Sequence, residues 1–201
     1  HPVELAKATS SAAYFSGGRI CLGAGAGWMK EEFDMLGVDF HTRGKRFDEC
    51  IDVMRKLWSG NMVEHHGEFF DFAPMQMTPS PAQPVPIYIG GMSKAALRRA
   101  AQLGDGWMGP GQTVDAALET VTELNRLRAE YGRSNEPFHF FVPLYGGQPN
   151  DVDDIKRLVD AGVDGIVSLP FAFNIGPNST VDQKRAYLED YASKVIAKVR
   201  G

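Results

Sequence analysis

Pro84-Val85-Pro86-Ile87-Tyr88-Ile89-Gly90-Gly91-Met92-Ser93-Lys94-Ala95-Ala96-Leu97-Arg98-Arg99-Ala100-Ala101-Gln102-Leu103-Gly104-Asp105-Gly106-Trp107 is the stretch on which the reading of this chain turns. The apolar, β-type run Ile87-Tyr88-Ile89 ends on Gly90-Gly91, and a helical pattern opens at Ser93 and closes at Gly104. Glycines between a strand end and a helix start let a ligand approach bare backbone N–H groups. The helix N-terminus adds partial positive charge at the same point. The stretch therefore predicts an α/β scaffold with a site for a phosphate-bearing cofactor.

The pattern repeats on both sides. Strands are expected near roughly residues 20, 88, 107, 141 and 167, with helices between them. Helices are predicted over 2–16, 30–36, 43–58, 93–103, 114–131, 152–161 and 181–199. In the first, Leu5, Ala8, Ala12 and Phe15 recur on one face until Gly17-Gly18. In the third, Phe47, Cys50, Ile51, Met54, Leu57 and Trp58 form an apolar stripe. Residues 60–85 are rich in Pro and aromatics and lack a helical period, so they read as an excursion with extended pieces at 68–72 and 75–78. Strands alternating with helices imply parallel pairing through crossovers. Two architectures satisfy five such strands: an open doubly wound sheet, or the last five strands of an eight-stranded barrel.

The bulk composition is that of a globular protein, 43% hydrophobic and 23% charged. A net charge of −4 without a basic stripe gives no basis for nucleic-acid binding. No apolar run reaches the roughly 18–20 residues that span a membrane, so no membrane partner is expected. Cys21, on an expected strand, and Cys50, on an expected helix face, read as buried reduced thiols of a cytoplasmic protein. His65 and His66 would point to opposite sides of an extended piece, which gives no metal site. Asp105, at a strand start, reads as a turn residue; Arg43, Arg46, Asp48 and Glu49 read as helix-surface or capping pairs, and Glu31 and Glu32 as a solvated helix start.

An ordered series of short motifs goes further. Leu5-Ala6-Lys7, Ser16 to Arg19, Leu22 to Trp28, Glu31-Glu32-Phe33, Arg43 to Glu49, Leu57 to Gly60, His65 to Phe72, Pro86 to Gly91 and Leu103 to Trp107 occur in this sequence in that order. The series resembles the bacterial luciferase-like monooxygenase superfamily, in particular its coenzyme F420-dependent oxidoreductases. The similarity is dense over 5–109 and fades beyond it.

The resemblance implies a (β/α)8 TIM barrel forming one domain over 1–201, with the chain corresponding to about strands 4 to 8. Members normally carry three further strands before the helix that begins here. Those strands supply part of the ring pocket, so this chain alone is expected to bind cofactor weakly. The implied activity is hydride transfer between bound F420 and a small organic substrate; an FMN-dependent luciferase-like monooxygenase and a non-catalytic flavin-binding barrel are the alternatives. A phosphate-binding barrel enzyme without redox chemistry also fits the residues. A homodimer is implied. Gly23, Gly25 and Ala26 would lie against the cofactor ring, and Gly90, Gly91, Met92 and Ser93 would hold its phosphate. Trp28, Met108, Pro110 and Gly111 would line the substrate pocket. Some F420 enzymes of the superfamily carry a glutamate near Ala26 and an asparagine near Met29; alanine and methionine stand here, so those roles do not carry over and no catalytic residue is assigned.

Overall fold

The computed structural model describes residues 1–145, 151–167 and 170–200, and the chain divides into two compact units, His1–Asp105 and Gly106–Gly201.

The first unit opens with helix α1 (Pro2–Ser16), with Pro2 in its first turn and Gly17 closing it in the left-handed conformation. The expected stripe is not its buried face. Leu5, Ala8, Ala12 and Phe15 are all exposed, whereas Pro2, Ala6, Ser10 and Ala13 are buried. Small residues win because α1 packs against α3 (Arg43–Trp58). The Trp58 indole Nε1 donates to the Ala6 carbonyl at 3.0 Å, and Ser10 Oγ donates to the Pro79 carbonyl. Close approach of the backbones satisfies these polar groups, and a large side chain on that face would prevent it.

Strand β1 (Leu22–Ala24) is shorter and later than the expected strand. Cys21 precedes it and is exposed, while Cys50 on α3 is half-buried; both thiols are free. The expectation of two buried thiols therefore fails at Cys21. Helix α2 (Lys30–Met35) and a single 3-10 turn (Phe40–Thr42) lead into α3, whose core face carries Ile51, Val53, Met54, Leu57 and Trp58.

The 60–85 excursion is an antiparallel hairpin, β2 (Met62–His66) with β3 (Asp71–Gln76), rather than extended pieces at 68–72 and 75–78. Glu49 of α3 anchors it. One carboxylate accepts from the Phe70 N–H at 2.8 Å, the Phe69 N–H at 3.0 Å and His65 Nε2 at 3.0 Å. Lys56 Nζ lies 3.1 Å from His65 Nδ1, which assigns the imidazole proton to Nε2. Glu49 is thus a half-buried bracket between helix and hairpin, not a helix-surface pair. His66 is exposed and pairs with Asp71, so the two histidines do face opposite ways.

Strand β4 (Ile87–Gly90) runs parallel to β1 in the register Leu22 to Ile87, Gly23 to Tyr88 and Ala24 to Ile89. Helix α4 (Lys94–Leu103) follows, with the Ser93 hydroxyl accepting from the Ala96 N–H at 3.2 Å as N-cap. Asp105 has the turn role expected of it. Its N–H donates to the Ile87 carbonyl, and its carboxylate accepts from the Ile87 N–H at 2.9 Å and from Arg55 at 3.1 Å.

In the second unit β5 (Gly106–Met108), β6 (His139–Pro143) and β7 (Gly165–Val167) are parallel, β6 pairing with both others. Helix α5 (Val114–Glu130) buries Ala117, Val121, Leu124 and Leu127, and α6 (Val152–Asp160) buries Ile155 and Leu158. Asp164 repeats the Asp105 device: its N–H donates to the Phe140 carbonyl and its carboxylate accepts the Phe140 N–H at 2.7 Å. Residues 168–169 of the expected last strand lie outside the described residues. A short helix α7 (Pro170–Phe173) was not expected. The closing helix is interrupted: α8 (Val181–Tyr191) passes through a π-helical turn (Ala192–Ile196) into α9 (Ala197–Arg200). The wider turn shifts the helical phase, burying Val195 while Leu188 stays exposed.

Burial raises the Glu49 pKa, but the hydrogen bonds from His65, Phe70 and Phe69 outweigh it and hold the group below the usual carboxylate range. A depressed folded-state value gives stability that is complete above the unfolded value of about 4.3 and lost as pH falls through the folded value. Glu49→Gln is therefore expected to be destabilised at neutral pH, with its gap to the wild type closing below about pH 4. Urea midpoints across the acid range measure this, and a gap independent of pH would contradict it.

Candidate functional site

The β1–β4 ladder brings two glycine turns, more than sixty residues apart in sequence, to the same strand ends. Between them lies a cavity of about 490 Å³, in the size range of small-molecule sites. Gly25, Ala26, Gly27 and Trp28 line it from the β1 end, and Gly90, Gly91 and Ser93 from the β4 end. Of the residues expected around a cofactor, Gly23 and Met92 are not among its lining. Gly23 is a rung of β1, and Met92 is exposed. Trp28 lines the cavity but is 80% exposed.

The glycines at the cavity are not equivalent. A Cβ on Gly27 would meet the Phe33 ring at 2.8 Å, and one on Gly91 would meet Ala96 Cβ at 2.9 Å; both have positive φ, +82° and +110°. Fold and backbone demand glycine at those positions. Gly25 is different. Its φ is ordinary for any residue and an added Cβ would stand in open space. Nothing in the packing requires glycine there, and it borders the cavity.

Sequence reasoning missed the third wall. His41, Arg43, Gly44 and Arg99 line the same cavity. Arg99, with a side chain 10% exposed, is neutralised by Asp48, and its Nη2 also donates to the Gly44 carbonyl at 3.1 Å. Arg43 is held otherwise: Nη1 donates to the Phe40 carbonyl at 2.9 Å and the guanidinium stacks 3.8 Å over the Phe40 ring. The only legible signal was basic residues with no acid in the first turn of α3, an arrangement the helix dipole disfavours.

A second cavity, of about 270 Å³, shares Gly25, Ala26 and Arg43 with the first but is otherwise mainly apolar, with Leu5, Phe33, Val38, Phe47, Cys50 and Phe70. Burial pushes the Cys50 thiol up, against the pull of Arg46, so it is a poor nucleophile. Arg43 and Arg46 also line this second cavity, so both spaces that border Gly25 and Ala26 carry cationic side chains, and the second adds the apolar ones.

Met108, Pro110 and Gly111 belong to the second unit. Met108 ends β5 and is exposed, as is Pro110, and Gly111 stands beside the Tyr145 ring. Next to them Gln112 is buried; its Oε1 accepts from Thr120 Oγ1 at 3.2 Å, while Nε2 has no partner among the described residues. Such an orphaned buried donor costs about 1–3 kcal/mol and marks the strand end as a second place where a ligand contact would be favourable.

Glycine-lined strand ends thus border a cationic cavity in the first unit. Comparison with known proteins identifies the class. The luciferase-like monooxygenase family model matches residues 1–177, and the chain belongs to that family. An uncharacterized protein of Mycobacterium tuberculosis is 42% identical over 98% of this chain and 68% of its own length. An F420-dependent glucose-6-phosphate dehydrogenase of Amycolatopsis mediterranei is 26% identical over 94% of the chain and 66% of its own length. An FMNH2-dependent dimethylsulfone monooxygenase of Pseudomonas putida is 30% identical over 66% of the chain and 38% of its own length. Among solved structures, the coenzyme F420-dependent tetrahydromethanopterin reductase of Methanopyrus kandleri superposes with a TM-score of 0.74 at 18% identity, covering 99% of this chain and 80% of that one. The fold class is that of the luciferase-like (β/α)8 barrels. No helix of the described residues is long and apolar enough to cross a membrane.

Gly27→Ala and Gly91→Ala are each expected to lose about 1–3 kcal/mol, whereas Gly25→Ala should be neutral or stabilising by up to about 1 kcal/mol. Denaturant titration of the three variants measures the contrast; equal losses at all three positions would contradict it.

Proposed function

We propose that the first unit binds a phosphate-bearing flavin or deazaflavin, its ring against the Gly25–Ala26 backbone and its phosphate at Gly90, Gly91 and Ser93. The observation that carries this reading is the glycine at 25, which borders the cavity and at which an added Cβ would meet nothing within 4 Å, so that packing does not call for glycine there. The donor set fits the group: a glycine turn, a helix N-terminus and cationic side chains converge on one space. When bound, the cofactor would accept or give a hydride at its ring. The protein's own residues would hold the phosphate, exclude water with the apolar wall of Phe33, Phe47 and Phe70, and orient the substrate.

Coenzyme F420 is the preferred cofactor, with a small organic molecule as the other hydride partner. The dehydrogenase and reductase relatives with F420 in their names support that choice. FMN is the second reading, favoured by the FMNH2-dependent relative. Trp28 is proposed to face the substrate. We further infer a cytoplasmic homodimer, for which the free thiols and the family resemblance are the support.

Gly25→Val is expected to weaken F420 binding by at least about 10-fold while leaving the unfolding temperature within a few degrees of the wild type. Fluorescence titration with F420, repeated with FMN, measures both affinity and preference. Unchanged affinity for both cofactors in Gly25→Val would sink the reading; tighter FMN than F420 binding by the wild type would select the alternative.

A further inference from the structure

The second unit holds a segment that apolar packing does not secure. Helices α5 and α6 are held by buried side chains, Val121, Leu124 and Leu127 on one and Ile155 and Leu158 on the other. Helix α8 buries none of its 11 residues; Val181 and Leu188 are exposed, as is Phe173 of α7. What orders α7 and α8 is local. Lys184 Nζ stands 5.6 Å from the centre of the Phe171 ring, Thr180 and Gln183 close a capping box, and Tyr187 stacks on Tyr191. All of these contacts begin and end within residues 171–191.

Hydrogen bonding points the same way. Five side-chain polar atoms among the described residues are buried without a partner, and three of them, Asn174 Oδ1, Ser179 Oγ and Tyr187 Oη, fall in this one segment. Each disfavours the closed arrangement, because opening returns the group to water, where it is hydrogen-bonded. The segment ends at the π-helical turn Ala192–Ile196, which interrupts the regular helical ladder. Beyond α8 the anchoring resumes: Val195 is buried and α9 packs on α6. A loosely held piece is therefore joined to an anchored one through an irregular turn.

We propose that residues 171–191 form a hinged lid that swings about the π-helical turn Ala192–Ile196. The lid follows the carboxyl end of β7, which runs parallel to β6, as β5 does. It therefore belongs to the side of the sheet on which parallel α/β folds take up ligands. Opening gives access to that side of the second unit, and a ligand with hydrogen-bonding groups supplies the partners that the closed lid lacks. The lid is independent of the cofactor reading of the first unit.

Hydrogen exchange of the 201-residue chain reads the opening directly. Amides of 185–190 in α8 are expected to exchange at least about 100-fold faster than those of 121–127 in α5, although both lie within capped helices. Equal protection of the two helices would overturn the lid. Amides of 196–198 should be slower than those of 185–190; exchange equally fast through to 198 would mean fraying from the chain's end and would overturn the hinge. Tyr187→Phe removes an unpaired hydroxyl and keeps the ring, so it should slow exchange across α8 about 5-fold and leave α5 unchanged. Ser179→Ala should act in the same direction. A hydroxyl that stabilises the closed form would respond with the opposite sign, so faster exchange of α8 in both variants would overturn the proposal.

Discussion

Three rungs of parallel ladder, Leu22 to Ile87, Gly23 to Tyr88 and Ala24 to Ile89, set the position of both glycine turns at the site. Parallel strands end at the same side, so residues that follow β1 and residues that follow β4 must converge. The register decides how closely. Shifting it by one residue would exchange the faces of every side chain on β4, exposing Ile87 and Ile89, which are now fully buried. Burial of those two isoleucines therefore holds Gly25 and Gly90 across a common space. At the opposite end of β4, Asp105 completes the ladder where no further strand residue supplies a rung, and Asp164 does the same for β6. Strand position is thus secured by packing along the strand and by a carboxylate at its start.

Helix α3 is the second organiser, because its residues serve four directions at once. Trp58 reaches α1, Glu49 holds the β2–β3 hairpin, Arg55 meets Asp105, and Arg43 enters the cavity. The polar ones among these are mostly buried or half-buried, and each is matched by a partner from a distant segment, except Arg43. Arg43 and Arg46 of this helix both border cavities and have no carboxylate partner among the described residues; Arg43 lies over the Phe40 ring and Arg46 over the Phe70 ring. Two cavities border Gly25 and Ala26 and share Arg43; the second is the richer in apolar side chains.

Much of the scaffold was legible in the chain itself. The strand positions near 88, 107 and 141 and the helices over 43–58 and 114–131 follow from local signals that the tertiary structure does not override: apolar runs between glycines and stripes at helical spacing. The turn at Gly90–Ser93 was equally plain, since Gly-Gly before an N-capping serine has few other readings. Misreadings came where local pattern and long-range packing disagree. In α1 the large apolar residues drew attention to Leu5, Ala8, Ala12 and Phe15, but the buried face is the small one, chosen by the neighbouring helix. Glu49 looked like a surface charge because its partners, two backbone N–H groups and His65, lie some twenty residues away on a hairpin whose strands were themselves misplaced.

The sequence by itself determined the alternation of strands and helices, the glycine turns at the strand ends and, through its ordered motifs, the family. These depend on residue type and near-neighbour spacing, which periodicity records. Only the tertiary structure decided which glycines are required by the backbone and which merely clear space, because that distinction rests on what an added methyl would touch. It alone brought Arg43 and Arg99 to the wall of the cavity and showed that one is neutralised and the other is not. Charge pairing between α3 and α4 depends on how two helices pack, and no local pattern in either helix encodes it.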